Sequence, residues 1–300
     1  MTSLVIVGYP DRLRADHAVL VEAAQARGLN VDVVSPSELS LATDGEHCWV
    51  SVAGQKNVPD IVLPRGVNRP WSFLVPVFEQ WIADGARIIP DLRAASLCAD
   101  KVTTSITLAN AGVPALPTVA VVPGEGVDLS LCASMFSSQP VVVKPARASK
   151  GRGVTRHDTW RDAQDALSST VPLIGGMVDH HVVQPLATGA GCDYRVVVAH
   201  RGRGLEVVAL TRRTAPAEHF VTNVQGSTVE EMDLGSADAS RIAESALRAA
   251  HAMNLCFAGV DVIEHCGEMV VLEVNAWPGL APEQRGTALA DALLDAAFQG

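Results

Sequence analysis

Short apolar runs of strand length alternate with amphipathic stretches of helical period along this chain of 300 residues. Leu4 to Val7 is the first such run. An amphipathic stretch from about Leu13 to Arg27, a stop at Gly28 and a second run from Val31 to Val34 follow it. Strand, helix and strand in that order predict a βαβ opening. Pro59-Asp60-Ile61-Val62-Leu63-Pro64 predicts another short strand, with Arg65 to Arg69 as the loop beyond its carboxyl end. After Ile88-Ile89-Pro90-Asp91 the pattern changes to a helix around Ala99 to Ala111, closed by Gly112 with Pro114 beyond it, so a lobe boundary is expected near residues 92 to 95. From Pro140 the order is strand, glycine-rich turn, strand, then a helix from about Thr159 to Ser168. Strongly β-prone runs follow at Val182 to Gln184, Arg195 to Ala199 and Val207 to Thr211. One well-marked helix has Ser236 or Asp238 as N-cap and continues from Ala239 to Met253. That mixture predicts an α+β lobe with an antiparallel sheet.

The most informative pattern lies near the end of the chain. Gly259-Val260-Asp261-Val262-Ile263 and Val270-Val271-Leu272-Glu273-Val274-Asn275 are strand-like, and the polar link Glu264 to Glu268 between them suits a hairpin turn. A hairpin brings Asp261 close to Glu273 and Asn275, and alternation puts Glu273 and Asn275 on one face. Oxygen ligands grouped in this way suit a hard divalent cation, and Mg²⁺ is held by one or two carboxylates plus the phosphates of a nucleotide. The alternative is a hairpin whose polar residues face water, which fits three such residues in apolar strands poorly.

Length suits two or three compact lobes, and the 48% apolar content can fill a sizeable core. The formal net charge of -10 comes without a basic run, which argues against nucleic acid as a partner. Met1-Thr2-Ser3 leads into an apolar run too short for a signal peptide or a membrane span, so a soluble, cytoplasmic protein is expected. The six cysteines show no zinc-ligand spacing and are expected as reduced, mostly buried thiols, with a Cys256–Cys266 disulfide as the alternative.

Val141 to Lys144 joins a buried-type strand to the basic, Gly-rich loop Pro145-Ala146-Arg147-Ala148-Ser149-Lys150-Gly151-Arg152-Gly153. Backbone N–H groups in such a loop form phosphate-binding concavities, and Lys144 ends the strand where its ammonium can meet an anion. The Gly-Lys-Ser/Thr ending and following helix of a Walker A loop are missing. Arg65 and Arg69 follow a predicted parallel strand and are candidate anion contacts, or else solvated surface residues. Adjacent His180 and His181 on a strand point to opposite faces, which predicts solvated histidines rather than a metal pair.

Lys144 with its glycine loop, Val183-Gln184-Pro185-Leu186, Asp193-Tyr194-Arg195, Thr211-Arg212-Arg213, Asn223 and the Asp261, Glu273, Asn275 set occur in the order and approximate spacing of the ATP-grasp ligases. The chain most resembles their RimK-type branch, which joins carboxylates to amines. The resemblance covers residues 90 to 282 clearly, and Gly259-Val260-Asp261 with Glu273 to Gly279 is its most specific part. It implies a three-lobed fold of α/β and α+β character: a βαβ pre-ATP-grasp domain at residues 1–92, a central ATP-grasp lobe with the Gly-rich loop at 93–185, and a C-terminal lobe with the metal site at 186–300, with ATP between the last two. It further implies nucleotide contacts by Lys101, Lys144, Ser149, Gly151, Gln184, Leu186, Asp193 and Asn275. Metal ligation by Asp261, Glu273 and Asn275 also follows, as do contacts from Arg195, Arg212, Arg213 and Asn223 to the γ-phosphate or acyl substrate. Each arginine could instead be a sheet-surface residue, and Lys101 an exposed helix residue.

Two departures qualify these implications. Pro185 stands where the family usually has Glu in the adenine hinge, removing a carboxylate and a backbone donor and leaving the Leu186 amide for the base. Phe220-Val221-Thr222-Asn223 lacks the arginines of Phe-Arg-Ser-Asn and His-Arg-Gly-Gly in protein-glutamylating members, which makes poly-glutamate addition the less expected activity. His219 is a candidate proton acceptor, and Trp277 either packs or walls the substrate pocket.

The expected enzyme therefore uses ATP and Mg²⁺ or Mn²⁺ to join a carboxylate to an amine through an acyl phosphate. Its expected partner is a small amino acid or amino-acid-like molecule, with antibiotic biosynthesis as one setting. An intramolecular cyclo-ligase of the D-cycloserine-forming kind, a peptide-modifying ligase and a non-catalytic ATP-binding regulator are the alternatives. Homo-oligomerisation is left open.

Overall fold

The computed structural model describes residues 2–9, 14–67, 71–136, 138–148, 151–170, 180–280 and 287–299. The chain opens with β1 (Ser3–Gly8), α1 (Arg14–Ala26), β2 (Asn30–Val34), an antiparallel meander of β3 (Leu39–Thr43), β4 (Cys48–Val52) and β5 (Gln55–Lys56), then β6 (Ile61–Arg65), α2 (Trp71–Ala83) and β7 (Arg87–Ile88). The parallel sheet runs β2-β1-β6-β7. Both its faces are covered, as parallel sheets require: Leu4 and Ile6 face α1, while Val5 and Val7 pack against Leu74, Val77 and Phe78 of α2. Gly8 lies so close to the His17 ring that an added Cβ would come 2.6 Å from its Nε2.

The middle of the chain comprises α3 (Leu92–Cys98), α4 (Lys101–Asn110), β8 (Val119–Val121), α5 (Ser130–Phe136), β9 (Val141–Pro145), β10 (Thr155–His157), α6 (Trp160–Ser168) and β11 (His181–Pro185). The helix expected over 99–111 is α4, and a second helix, α3, precedes it where only a lobe boundary was expected. Asp91 caps α3, and the Asp100 side chain caps α4 by accepting from Val102 N–H at 2.9 Å, which stops one helix and starts the next. The sheet order is β10-β9-β11-β8, antiparallel throughout. Val141 and Val143 pack under α5 and α6, so Val142 and Lys144 face the other way.

The last part contains β12 (Cys192–Arg201), β13 (Gly204–Thr214), β14 (Thr228–Glu231), α7 (Ala237–Ala252), β15 (Phe257–His265), β16 (Glu268–Asn275) and α8 (Ala288–Gln299). Its sheet runs β14-β13-β12-β15-β16. The hairpin turn is shorter than the polar link suggested: His265 pairs with Glu268, and only Cys266 and Gly267 turn the chain, at φ 54° and 84°. Positive φ at both central residues matches the twist of the strands. One sheet face carries Val196, Val198, Leu210 and Val260 against α7. The other carries Val197, Ala199 and Phe257 against α8, which also meets α1, so the first and last sheets share one core. Among the described cysteines only Cys132 is buried, and Cys256 and Cys266 are both free thiols, which corrects the mostly buried reading and removes the disulfide alternative.

Candidate active site

Alternation along four strands decides what reaches the cleft. On the sheet face that carries Val197, Ala199 and Phe257, the same two-residue period brings up Asp193 and Arg195 on β12, Arg213 on β13, Asp261 on β15 and Glu273 with Asn275 on β16. Asp261 pairs directly with Glu273, and Asn275 with Gly259. A β-bulge beside Asp261 leaves Leu272 as the extra residue of β16, and bulges of this kind re-aim side chains at sites. Gly259 is needed here: a Cβ would stand 2.8 Å from Pro278 Cβ and 3.5 Å from Arg195.

Asp261 is 4% exposed, and two guanidinium groups hold it. Arg195 grips it through Nε and Nη2, the latter at 2.8 Å to Oδ2, and Arg213 Nη2 lies 3.0 Å from the same oxygen. Burial alone would raise its pKa; Arg195 and then Arg213 outweigh that and hold the carboxyl below the usual carboxylate range. Arg213 forks onto Asp193 with two contacts of 2.7 Å, and Thr222 Oγ1 donates to Asp193 at 2.6 Å. Burial disfavours the Arg213 cation, but Asp261 and Asp193 together raise its pKa.

The facing wall comes from β9, β11 and α4. Lys144 Nζ donates to Gln184 Oε1 at 2.8 Å, and Gln184 Nε2 donates to Thr118 at 2.9 Å, so the glutamine sets where the ammonium points. Burial pulls the Lys144 pKa down to about 8, with Glu273 acting in the opposite direction. Lys101, the first residue of α4, donates to Ala148 O at 2.6 Å at the base of the Gly-rich loop. Between the walls lies an open cleft of about 900 Å³ counted with the solvent at its mouth, lined by both lysines, Asp193, Arg213, Asp261, Glu273, Asn223 and Gly151. Apolar Leu116, Ile263 and Leu272 line the same cleft. Gly151 reaches across it, since a Cβ there would stand 3.2 Å from Val221 Cγ1.

The donor set fits a divalent cation. Two carboxylates directly opposite on one ladder repel unless positive charge lies between or beside them; Arg195 and Arg213 supply that charge at Asp261, so a metal ion there would share Asp261 with them. No described residue hydrogen-bonds the Glu273 carboxylate, and the buried Asn275 Nδ2 is without a partner. Two carboxylates with an amide beside a lysine-lined cleft match what Mg²⁺ or Mn²⁺ takes together with phosphates. A grouping of three His, Cys, Asp or Glu side chains suited to a metal does not occur among the described residues, so a third side-chain donor beside Asp261 and Glu273 has to come from another residue type, such as the Asn275 amide.

Several expectations are corrected. Arg65 does not lie in a loop: it ends β6, is 2% exposed, and gives Nη2 to Asp16 Oδ2 and to Pro278 O. Arg212 shares the opposite sheet face with Tyr194 and Cys192, where its Nε meets Cys192 Sγ at 3.2 Å, because β13 alternates. The Leu186 N–H is spent on Pro140 O at 2.7 Å; the next amide, that of Ala187, has no acceptor among the described residues and lines the cleft. The Asp193 carboxylate is filled by Arg213 and Thr222, and the Gln184 side chain serves Lys144. His219 is exposed and does not line the cleft, and Trp277 packs edge-on against Trp71 at 5.4 Å. His180 is not merely solvated, for its Nε2 meets Asp100 Oδ2 at 2.9 Å. Ser149 and Arg69 lie outside the described residues.

Thr222 was not singled out from sequence, and Ala187 was expected only as the end of the hinge from Gln184 whose backbone meets adenine. Thr222 acts through a carboxylate 29 positions away, for which no local pattern exists. Ile263 was accessible, since it lies two residues beyond Asp261 on the same strand face.

Residues 98–296 match the profile of the RimK-like ATP-grasp domain. The chain belongs to that family, and it is a carboxylate–amine ligase that forms C–N bonds and uses ATP with a divalent metal. A probable alpha-L-glutamate ligase 1 of Shewanella denitrificans is 30% identical over 264 residues, 87% of this chain and 85% of that protein. The ribosomal protein bS6–L-glutamate ligase of Salmonella paratyphi B is 28% identical over 273 residues, covering 90% of this chain and 86% of its own length. The crystal structure of a RimK domain ATP-grasp protein from Sphaerobacter thermophilus superposes with a TM-score of 0.69 at 22% identity, covering 99% of this chain and 100% of that one; this likeness speaks to the fold alone. Among the described residues no helix is long and apolar enough to cross a membrane.

Proposed function

We propose that the protein activates a carboxylate of a small amino acid or amino-acid-like substrate as an acyl phosphate and joins it to an amine, with Mg²⁺ or Mn²⁺ and in the cytoplasm. A carboxylate oxygen attacks the γ-phosphorus and ADP leaves; the amine nitrogen then attacks the acyl carbon and phosphate leaves. Lys144, aimed by Gln184, and Lys101 bind the phosphates, and the Ala187 amide with Ile263 and Leu272 receives the adenine. Arg213 and Arg195 orient the acidic groups and counter charge as it shifts between oxygens. Asp261, Glu273 and Asn275 would hold the metal, which when bound neutralises phosphate charge. The loop at Gly151 closes towards Val221 and keeps water from a hydrolysable intermediate. On this reading the lobes divide at residues 92 and 185.

The observation that carries the reading is the direct Asp261–Glu273 pairing across a cleft from Lys144. A phosphate-release screen with ATP, each metal, and mixtures of amino acids and peptides, L-glutamate included, tests it. Release of ADP and phosphate that depends on one acid and one amine is expected. Tight metal-nucleotide binding with no release in any mixture would favour the regulator, and release from a single compound bearing both groups the cyclo-ligase.

A further inference from the structure

Arg65 and Asp16 belong to the opening βαβ unit, far in sequence from the metal-binding strands, yet both end on the segment that follows Asn275. Arg65 Nη2 donates to Pro278 O at 2.6 Å and to Asp16 Oδ2 at 2.9 Å, while Asp16 Oδ1 accepts from Leu280 N–H at 3.1 Å. Arg65 is buried and Asp16 half-buried, with side-chain exposures of 3% and 14%, so these bonds are largely shielded from competing water. It therefore holds both sides of Gly279.

Pro278 passes that constraint on. Its ring lies over Gly259, where an added Cβ would come within 2.8 Å of Pro278 Cβ and 3.5 Å of Arg195 Cδ and Nη1. Arg195 in turn grips Asp261. One run of neighbours thus leads from Asp16 through Arg65 and Pro278 to Gly259, and from Gly259 through Arg195 to the carboxylate opposite Glu273.

We propose that Arg65 and Asp16 are positioning residues for the metal end of the site: by fixing Pro278 they set the Asn275–Leu280 backbone and the placement of Arg195, and so the presentation of Asp261. This rests on the reading of Asp261, Glu273 and Asn275 as metal-binding. Neither residue lines the cleft. Arg65 serves two acceptors through a planar group, and a lysine at that position keeps the charge but not the fork, so the two acceptors can be separated by substitution.

The test is Mn²⁺ titration of the ADP complex, followed by electron paramagnetic resonance, for wild type, Arg65→Lys, Asp16→Asn, Pro278→Ala and the control Leu129→Ala, a core change just before α5 on the face of the central sheet. Outer-shell changes typically weaken metal affinity by about 10- to 100-fold. That loss is expected in the first three variants, with metal-free ADP affinity unchanged, and none in Leu129→Ala. Should Arg65→Lys fail to fold, Asp16→Asn and Pro278→Ala still decide. Mn²⁺ affinity within about 2-fold of wild type in the folded variants, or an equal loss in Leu129→Ala, overturns the positioning role alone. A wild type that binds ADP but no Mn²⁺ overturns the metal reading and this proposal with it.

Discussion

Asp261 and Glu273 stand directly opposite one another on β15 and β16, two carboxylates on one face of one ladder. Like charges so placed cost up to about 1 kcal/mol, but Arg195 and Arg213 beside Asp261 already offset that repulsion. Glu273→Gln should therefore change the stability of the ligand-free protein in urea by no more than about 1 kcal/mol. Turnover should fall by about 10²- to 10³-fold, the loss typical of removing one preorganised electrostatic group. Turnover near wild type would remove Glu273 from the site.

Lys144 supplies a pH signature. Burial lowers its pKa from 10.5 to about 8, so between those values the unfolded chain binds more protons than the folded one. Its contribution therefore makes ligand-free stability rise with pH across that window, and the penalty is fully present below pH 8. Phosphate arriving beside the ammonium should restore the charge. Nucleotide binding near pH 8 is expected to take up a fraction of a proton, read by calorimetry in buffers of different ionisation enthalpy. Lys144→Met should abolish the uptake; equal uptake in both proteins would assign it elsewhere.

Arg212 and Arg213 are neighbours in sequence and strangers in the fold. Arg213 bridges buried Asp193 and Asp261, whereas Arg212 lies exposed on the other sheet face. Arg212→Ala should change stability by no more than about 0.5 kcal/mol and leave turnover unchanged. Arg213→Ala should cost about 3 kcal/mol or more by leaving buried Asp193 without its cation, and should lose turnover. Equal effects in the paired assays would contradict the strand register.

The opening strand–helix–strand, the capped helix α7 and the β15–β16 hairpin were legible because local periodicity and caps specify them. Helix α8 was not, since Leu289, Ala290, Ala292, Leu293 and Ala296 leave it apolar on nearly every side, as a helix packed between two sheets must be. Pro76 inside α2 hid a second helix, and the short β3–β5 meander carries little apolar alternation. At the site, strand parity made Asp261, Glu273 and Asn275 readable. The fate of Arg65 was not, because its acceptor Pro278 O lies 213 positions away. The Leu186 amide was misjudged for a similar reason, as Pro140 O competes for it.

The contact between Gly151 and the Val221 side chain predicts a loop that gains order with nucleotide. Hydrogen exchange at residues 151–154 and 220–223 should slow together when ATP and Mg²⁺ are added. Unchanged exchange in both segments would rule out the closing role.

The most direct test of the account is an anomalous difference map from crystals grown with Mn²⁺ and a non-hydrolysable ATP analogue. A peak shared by the side-chain oxygens of Asp261, Glu273 and Asn275, next to phosphates that Lys144 and Lys101 contact, is the result expected. A bound analogue with its phosphates or its manganese away from those three residues would contradict it.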